Sequence, residues 1–142
     1  MTRHIVVPAR YASSRLPGKP LALIDNVPMI VHVGRLASKT IADSVVIAVD
    51  DQRVLDAVMQ AGFQALMTRQ DHPSGSDRVM QVADEMGWNE DDVVINIQGD
   101  EPLLPPRIVD ELFVAMDARH SIEMATLSES VHTAEEFLDP NI

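Results

Sequence analysis

The chain has 142 residues, no cysteine and a formal net charge of −11, with 46% hydrophobic and 4% aromatic residues. Its length suits one domain with a substantial core, and the absence of cysteine excludes disulfides and thiolate metal sites. An acidic chain without an extended basic face is not expected to bind nucleic acid or an anionic membrane, and no apolar run is long enough for a membrane span. We therefore expect residues 1–142 to form a single domain of a cytoplasmic protein.

Apolar periodicity predicts strands and helices in alternation along the chain. The strands are predicted at residues 4–8, 44–49, 64–68, 92–98 and 122–127. The helices are predicted at residues 28–38, 52–61, 76–86, 106–118 and 133–137. Runs such as Val45–Val49 and Val93–Ile97 are nearly continuous in β-branched residues, which is typical of buried parallel strands. The pattern predicts an α/β fold, a three-layer sandwich with a mostly parallel sheet.

The loop after the first predicted strand concentrates positive charge, since the first forty residues hold six of the eleven Lys and Arg residues and one acid. Small residues such as Ser13 let backbone N–H groups approach an anion closely. Arg10, Arg15 and Lys19 can add charge-assisted hydrogen bonds to phosphate oxygens. A solvated connector whose cations face water is the alternative, but their concentration in an acidic chain favours a site for a small anion.

Two acidic segments also follow predicted strands, at the edge where open α/β sheets bind ligands. In the segment 98–102, the Asp100 carboxylate is a candidate Mg²⁺ ligand, with an ordinary turn as the alternative. Asp50 and Asp51 are predicted mainly to cap a helix, with metal binding as the lesser option.

The segment 71–78 combines a turn with a helix start. Ser74 or Ser76 could cap the helix through its hydroxyl, and Gly75 lets the backbone approach a flat ligand. In the functional interpretation these groups face a nucleobase and Arg78 reaches for phosphate. In the alternative the segment is a capped helix with a solvated Arg78.

Other polar and aromatic residues are assigned structural roles. The scattered histidines lack triad or metal-ligand spacing and are expected in surface, loop or packing roles. Trp88 is expected to cover the core, and residues 89–92 to form a solvated turn. Neither a Walker motif nor a Gly-x-Gly-x-x-Gly motif is present, which weakens NTPase and dinucleotide interpretations.

Three segments in order carry a resemblance to a known family: Pro-Ala-Arg-Tyr-Ala-Ser-Ser-Arg-Leu-Pro-Gly-Lys-Pro-Leu at residues 8–21, Met-Thr-Arg-Gln-Asp-His-Pro-Ser-Gly-Ser-Asp-Arg at 67–78 and Asn-Ile-Gln-Gly-Asp-Glu-Pro at 96–102. They resemble the CMP-Kdo synthetases, the 3-deoxy-manno-octulosonate (Kdo) cytidylyltransferases of lipopolysaccharide synthesis. The likeness runs from Ile5 to Asn141. It implies a nucleotide-diphospho-sugar transferase (Rossmann-like) fold, CTP and Kdo as substrates, and Mg²⁺ as cofactor.

The resemblance also implies roles for individual residues. The residues around the CTP phosphates would be Arg10, Ser13, Arg15 and Lys19. The residues around the cytidine would be Ser74, Gly75, Ser76 and Arg78. Gln98 would lie between nucleotide and sugar, Arg15 would also contact the sugar, and Asp100 would bind Mg²⁺. The groups acting in catalysis would be Arg10, Lys19 and Asp100. The implied reaction is attack of the Kdo anomeric hydroxyl on the α-phosphorus of CTP, with release of pyrophosphate.

The chain departs from the family pattern at Pro73, where members have Gln, at Ser76-Asp77 and at residues 128–130. It stops at Ile142, where the family continues with the dimer interface, most Kdo contacts and a second aspartate for Mg²⁺. We therefore expect an amino-terminal half, inactive or nearly so alone and homodimeric in the complete protein. A cytidylyltransferase for another acidic sugar, such as sialic acid, and a non-catalytic nucleotide-binding module remain alternatives.

Overall fold

A computed structural model describes residues 2–12, 17–72 and 74–117. The strands in these ranges are β1 (Arg3–Ala9), β2 (Leu23–Ile24), β3 (Val27–Pro28), β4 (Ser44–Val49), β5 (Gln64–Met67) and β6 (Val93–Asn96). The helices are α1 (Met29–Ser38), α2 (Gln52–Gln60), α3 (Gly75–Met86) and α4 (Pro106–Asp117), with a 3₁₀ turn at Lys19–Leu21. The first four predicted strands and the first four predicted helices are confirmed to within two residues at each end. The elements predicted at 122–127 and 133–137 lie outside the described residues.

The main sheet is parallel throughout and has the strand order β5-β4-β1-β6. Strand β1 lies in its interior, and the side chains of Ile5, Val6 and Val7 are fully buried there. The chain moves outward from β1 to β4 and β5 and then crosses back to form β6 on the other side of β1. This change of direction creates a topological switch point between the carboxyl ends of β1 and β6, the place where open α/β sheets bind ligands.

The helices cover the sheet with apolar stripes. The right-handed rule for parallel crossovers places α1 and α2 on one face of the sheet, where they contact each other, and places α3 on the other face. Fully or almost fully buried side chains on three of the helices are Val54, Val58, Val79, Val82, Val109 and Phe113. The predicted α/β sandwich is therefore confirmed. Within the described ranges, no helix combines the length and the apolarity needed to cross a membrane.

A short antiparallel hairpin between the 3₁₀ turn and α1 was not predicted from the sequence. Strands β2 and β3 pair through a turn in which Asp25 and Asn26 both have positive φ, 52° and 63°. Asp and Asn tolerate this left-handed conformation better than most residues, so the turn itself carried a signal. Pro28 ends β3 and precedes α1, so the prediction that it begins the helix was wrong by one residue.

Candidate functional site

A cleft of about 210 Å³ opens between the carboxyl ends of β1 and β6. Its lining consists of Pro8, Ala9, Arg10, Lys19, Pro20, Met29, Gly75, Arg78, Gln98, Gly99 and Asp100. Six of the ten residues predicted for the site are among them: Arg10, Lys19, Gly75, Arg78, Gln98 and Asp100. The structure therefore brings residues from three separate segments of the sequence to one place, at the switch point of the sheet.

Gly99 allows the segment after β6 to lie directly against β1. Its N–H donates to the carbonyl oxygen of Pro8 at 3.1 Å. A Cβ atom at this position would lie 2.8 Å from that same oxygen, closer than real Cβ contacts come. The absence of a side chain thus lets Gln98 and Asp100 reach the end of β1 and line the same cleft as Arg10.

A lysine from the first loop meets the acid that follows β6. The ammonium nitrogen of Lys19 lies 3.2 Å from a carboxylate oxygen of Asp100, and the two side chains are 41% and 50% exposed. An ion pair this exposed contributes little to stability, so a ligand can exchange either partner at small cost. Arg10, Lys19 and Asp100 therefore line one cleft, whereas the third predicted loop cation, Arg15, lies outside the described residues.

Tyr11 and Gly18 close the base of the cationic loop. The N–H of Gly18 donates to the carbonyl of Tyr11 at 2.7 Å, and Gly18 has a φ of 76°, which glycine adopts without strain. The Arg53 guanidinium lies 3.7 Å from the centre of the Tyr11 ring, on a cation–π contact. These contacts tie together the two ends of the loop that carry Arg10 and Lys19.

Ser13 and Arg15 belong to residues 13–16, which lie outside the described residues. Their predicted contacts with the CTP phosphates and with the sugar therefore stay predictions.

Arg78 forms a buried wall of the cleft and is 1% exposed. Its Nη1 donates to the hydroxyl of Thr68 and to the carbonyl of Arg69 at 2.9 Å. Neither Nε nor Nη2 has a hydrogen-bond partner within the described part of the chain. The alternative of a solvated Arg78 is therefore wrong, and the guanidinium retains donors for a ligand.

The electrostatic surroundings of Arg78 are mixed. Burial lowers the pKa of Arg78, the nearby Asp50 carboxylate opposes that shift, and the positive charge of Arg10 adds to it. Because the ordinary pKa of arginine is so high, the side chain keeps its charge at neutral pH. Arg10 and Arg78 thus place two positive charges at the cleft, close enough to repel each other and attract an anion.

Ser74 caps α3, as one of the two interpretations predicted. Its hydroxyl oxygen accepts from the N–H of Asp77 at 3.3 Å, and its O–H donates to the Asp77 carboxylate at 2.8 Å. Neither Ser74 nor Ser76 is among the described residues that line the cleft. The contacts of these two hydroxyls with a nucleotide stay predictions.

Asp50 has a role that the sequence interpretation missed. Asp51 caps α2 by accepting from the N–H of Arg53 at 2.8 Å, so the cap prediction is confirmed for that residue. For Asp50 it was wrong: this residue is 7% exposed and accepts from the N–H of Tyr11 at 3.0 Å. A helix needs only one N-terminal cap. The presence of a second Asp beside Asp51 was therefore the sequence signal that Asp50 has another role.

Asp100 is the predicted metal ligand, and it lines the cleft. Its carboxylate supplies the hard oxygen that Mg²⁺ prefers. Within the described ranges no group of three or more His, Asp or Glu residues could hold a metal ion. A single carboxylate is compatible with a Mg²⁺ ion whose other ligands are phosphate and water oxygens.

The amino end of the sheet holds a polar cluster formed by His4, Ser44, Trp88 and Asp92, of which His4 and Asp92 are buried. The His4 ring stacks on Trp88 with 3.8 Å between centroids, and its Nε2 donates to the Asp92 carboxylate at 3.0 Å. Nδ1 lies 2.6 Å from the Ser44 hydroxyl oxygen, within hydrogen-bond distance. The packing role of His4 and the core contact of Trp88 are confirmed. Asp92 is 8% exposed, so the predicted solvated turn was wrong at this residue.

A family model described as Cytidylyltransferase matches residues 4–142 of the chain. Among curated proteins, a 3-deoxy-manno-octulosonate cytidylyltransferase of Pseudomonas fluorescens is 47% identical over 138 residues, which are 97% of this chain and 54% of that protein. The enzyme of the same name from Thioalkalivibrio sulfidiphilus is 46% identical over 142 residues, 100% of this chain and 57% of that protein. The chain thus spans about half the length of the curated relatives it matches.

Comparison with solved structures gives the same result. A CMP:2-keto-3-deoxy-manno-octonic acid synthetase complexed with CTP superimposes with a TM-score of 0.80 and 45% sequence identity. The superposition covers 86% of this chain and 50% of that one. The predicted fold family is therefore confirmed.

Proposed function

Because the chain belongs to the cytidylyltransferase family, we propose that it forms the nucleotide-binding half of an enzyme that transfers CMP from CTP to Kdo and releases pyrophosphate. The observation that carries the proposal is the cleft in which Lys19, from the loop after β1, pairs with Asp100, from the end of β6. A nucleoside triphosphate needs cations for its phosphates and an acid for the accompanying Mg²⁺, and this cleft has both. The curated relatives of the chain are named 3-deoxy-manno-octulosonate cytidylyltransferases.

The cations of the cleft are suited to hold a triphosphate. Lys19 exchanges its exposed partner, Asp100, for a phosphate oxygen when the nucleotide enters. Arg10 adds a second exposed cation, and its guanidinium donates to the carbonyl of Ala12 over a long distance of 3.3 Å. When the Kdo hydroxyl attacks the α-phosphorus, the bond to the leaving pyrophosphate breaks and these cations offset its growing negative charge.

The cytidine side of the cleft is formed by the start of α3. Gly75, the first residue of this twelve-residue helix, lines the cleft. A Cβ at Gly75 would lie 3.6 Å from the Gln98 side-chain nitrogen, so Gln98 reaches the start of α3. In the proposed arrangement, Gln98 hydrogen-bonds between the nucleotide and an acceptor sugar.

Asp100 is the residue that would hold Mg²⁺. When bound, the ion supplies Lewis-acid chemistry at the phosphate oxygens. The cofactor and the homodimer expected from the resemblance stay predictions, as does the cytoplasmic location expected from the composition of the chain.

Calorimetric titration of the 142-residue chain with CTP and Mg²⁺ tests the nucleotide site, and we expect saturable binding. Pyrophosphate release is then measured in a protein extended past Ile142, with CTP and either Kdo or sialic acid, and with Asp100→Asn as the inactive control. Turnover with Kdo supports the proposal. Turnover confined to sialic acid would transfer the assignment to another acidic sugar. CTP binding without turnover on either acid would favour a non-catalytic nucleotide-binding module.

A further inference from the structure

We propose that Asp50 is a positioning residue for nucleotide binding, which orients the Arg78 guanidinium and the start of the cationic loop at the same time. The inference rests on the proposed function of the cleft. Asp50 does not itself line the cleft in the described part of the chain, so it acts through the residues it contacts.

One carboxylate oxygen of Asp50 fixes the backbone where the cationic loop begins. Oδ1 accepts from the N–H of Tyr11 at 3.0 Å, directly after Arg10. The carbonyl oxygen of Asp50 accepts from the side-chain amide of Gln70 at 3.0 Å. Asp50 therefore links three loops at the carboxyl end of the sheet, namely the loops that follow β1, β4 and β5.

The other carboxylate oxygen faces the buried guanidinium. Oδ2 of Asp50 lies 3.8 Å from Nη2 of Arg78, and the side chains are 8% and 1% exposed. At this distance the charges attract each other strongly in a buried setting, but the donor is not used in a hydrogen bond. Asp50 thus holds the guanidinium in place while Nη2 and Nε keep their hydrogens for a ligand oxygen.

Thr68 holds Arg78 from the opposite direction. Its hydroxyl accepts from Nη1 of Arg78 and donates to the carbonyl of Val49 at 2.8 Å. The guanidinium is therefore oriented by a charge on one side and by a hydroxyl anchored to β4 on the other. Removing either one should allow Arg78 to turn away from the cleft.

The direction in which CTP affinity changes when Asp50 is neutralised distinguishes a positioning role from a purely electrostatic one. Asp50 carries a negative charge near a site for a polyanion, so its neutralisation by charge alone would strengthen CTP binding. A positioning role predicts the opposite, because a misoriented Arg78 loses its hydrogen bonds to the nucleotide. An Asp50→Asn substitution keeps the shape and the oxygen facing Tyr11, and presents N–H groups to the guanidinium.

The decisive experiment is calorimetric titration of the 142-residue chain with CTP, comparing Asp50→Asn with Asp51→Asn. The second variant removes the same charge one position away and keeps the helix cap, since Asn caps as well as Asp. We expect Asp50→Asn to weaken CTP binding on the order of tenfold, the usual effect of losing a hydrogen bond to a charged group, while Asp51→Asn stays within about twofold. Equal or tighter binding by Asp50→Asn would overturn the inference.

Thr68→Val keeps the inference testable if Asp50→Asn does not fold. This variant has nearly the parent shape and the same charge, and we expect roughly fivefold weaker CTP binding from the loosened Arg78. Unchanged binding by a folded Thr68→Val would contradict the inference, and thermal denaturation reports whether each variant folds. If the parent binds CTP and both variants bind it equally well, the positioning role fails and the proposed function stands. Absence of CTP binding by the parent would overturn both.

Discussion

The two ends of the parallel sheet use polar residues in opposite ways. At the amino end, His4 and Asp92 are buried and bonded to each other, and the Asp92 carboxylate also accepts from the backbone N–H groups of Thr2 at 3.1 Å and Asn89 at 3.2 Å. At the carboxyl end, Lys19 makes one exposed ion pair, and Arg78 has two N–H-bearing nitrogens without partners in the described ranges. Both ends are polar, but the His4–Asp92 pair finds its partners within the chain, whereas Lys19 and Arg78 line a cleft.

This difference indicates where stability and function reside in the fold. Buried polar groups that find all their hydrogen-bond partners within the chain stabilise it. Losing one partner leaves the other buried and unpaired, which lowers the free energy of unfolding. Donors that face a cleft contribute little to folding and much to binding. Substitutions at the two ends should therefore separate into those that change CTP affinity and those that change stability.

The largest effect is expected from Lys19→Met. Loss of a charge-assisted hydrogen bond to phosphate should weaken CTP binding by about 2 kcal/mol, or roughly thirtyfold. The melting temperature should hardly change, because the ion pair with Asp100 is exposed. Lys39→Met, at the end of α1, is the matched control and should keep parent affinity in the same calorimetric titration. Equal losses in the two variants would mean that Lys19 acts only through net charge.

Gly99→Ala tests whether the close approach of β6 to β1 builds the cleft. The added Cβ meets the Pro8 carbonyl oxygen at 2.8 Å. We expect a loss of about 2 kcal/mol in the free energy of unfolding, together with weaker CTP binding, because the backbone must move apart. Gly75→Ala is the control for stability, since its nearest neighbours lie at 3.6 Å. Denaturant unfolding of both variants measures the difference, and parent stability in Gly99→Ala would contradict this account of the cleft.

The amino end of the sheet is tested with Asp92→Asn. Burial alone raises the pKa of Asp92, but hydrogen bonds from His4, Thr2 and Asn89 outweigh it and hold that pKa below the ordinary 3.8. The stabilisation is therefore present above the unfolded-state pKa and is lost as the pH falls through the lower folded-state value. We expect Asp92→Asn to lower the unfolding free energy at pH 7 by about 1.5 kcal/mol and to leave CTP affinity unchanged.

The acid dependence of that variant provides a second check. Asp92→Asn should lose less stability than the parent between pH 5 and pH 3, as followed by thermal denaturation at each pH. The exposed Asp91→Asn serves as control and should follow the parent curve. Parallel curves for the parent and Asp92→Asn would show that Asp92 does not stabilise the fold through its charge.

The smallest effect is expected from the helix cap at Ser74. Ser74→Ala should reduce stability by about 1 kcal/mol, whereas Ser74→Asn should restore it, because Asn is an equally good cap. Both variants should bind CTP about as well as the parent if the hydroxyl serves only the helix. Weak CTP binding by a stable Ser74→Asn would instead indicate direct contact between this hydroxyl and the nucleotide.

Local patterns predicted the main elements well. Strand β4 was predicted to its exact bounds because Val45–Val49 is nearly continuous in β-branched residues. The two-residue strands of the hairpin are too short to show periodicity. The motifs at the strand ends likewise located Lys19 and Asp100, since parallel strands bring their carboxyl ends to one edge.

The burial of the polar residues could not be predicted in the same way. His4 and Asp92 are 88 positions apart in the sequence, and no local pattern announces their pairing. Arg78 and Asp50 similarly become buried only when α3 packs across the sheet. Their surroundings depend on tertiary contacts, whereas helix and strand patterns depend on neighbours along the chain.

The central claim is that the cations after β1 and the acid after β6 form one site for a nucleoside triphosphate. Titration of the ¹⁵N-labelled chain with CTP and Mg²⁺, followed by amide NMR shifts, tests it most directly. We predict saturable shifts of the amide signals of Arg10, Lys19, Gly75 and Gly99. The signals of Thr2 and Asn89, at the amino end of the sheet, should not change. No saturable shift, or shifts concentrated at the amino end of the sheet, would contradict the claim.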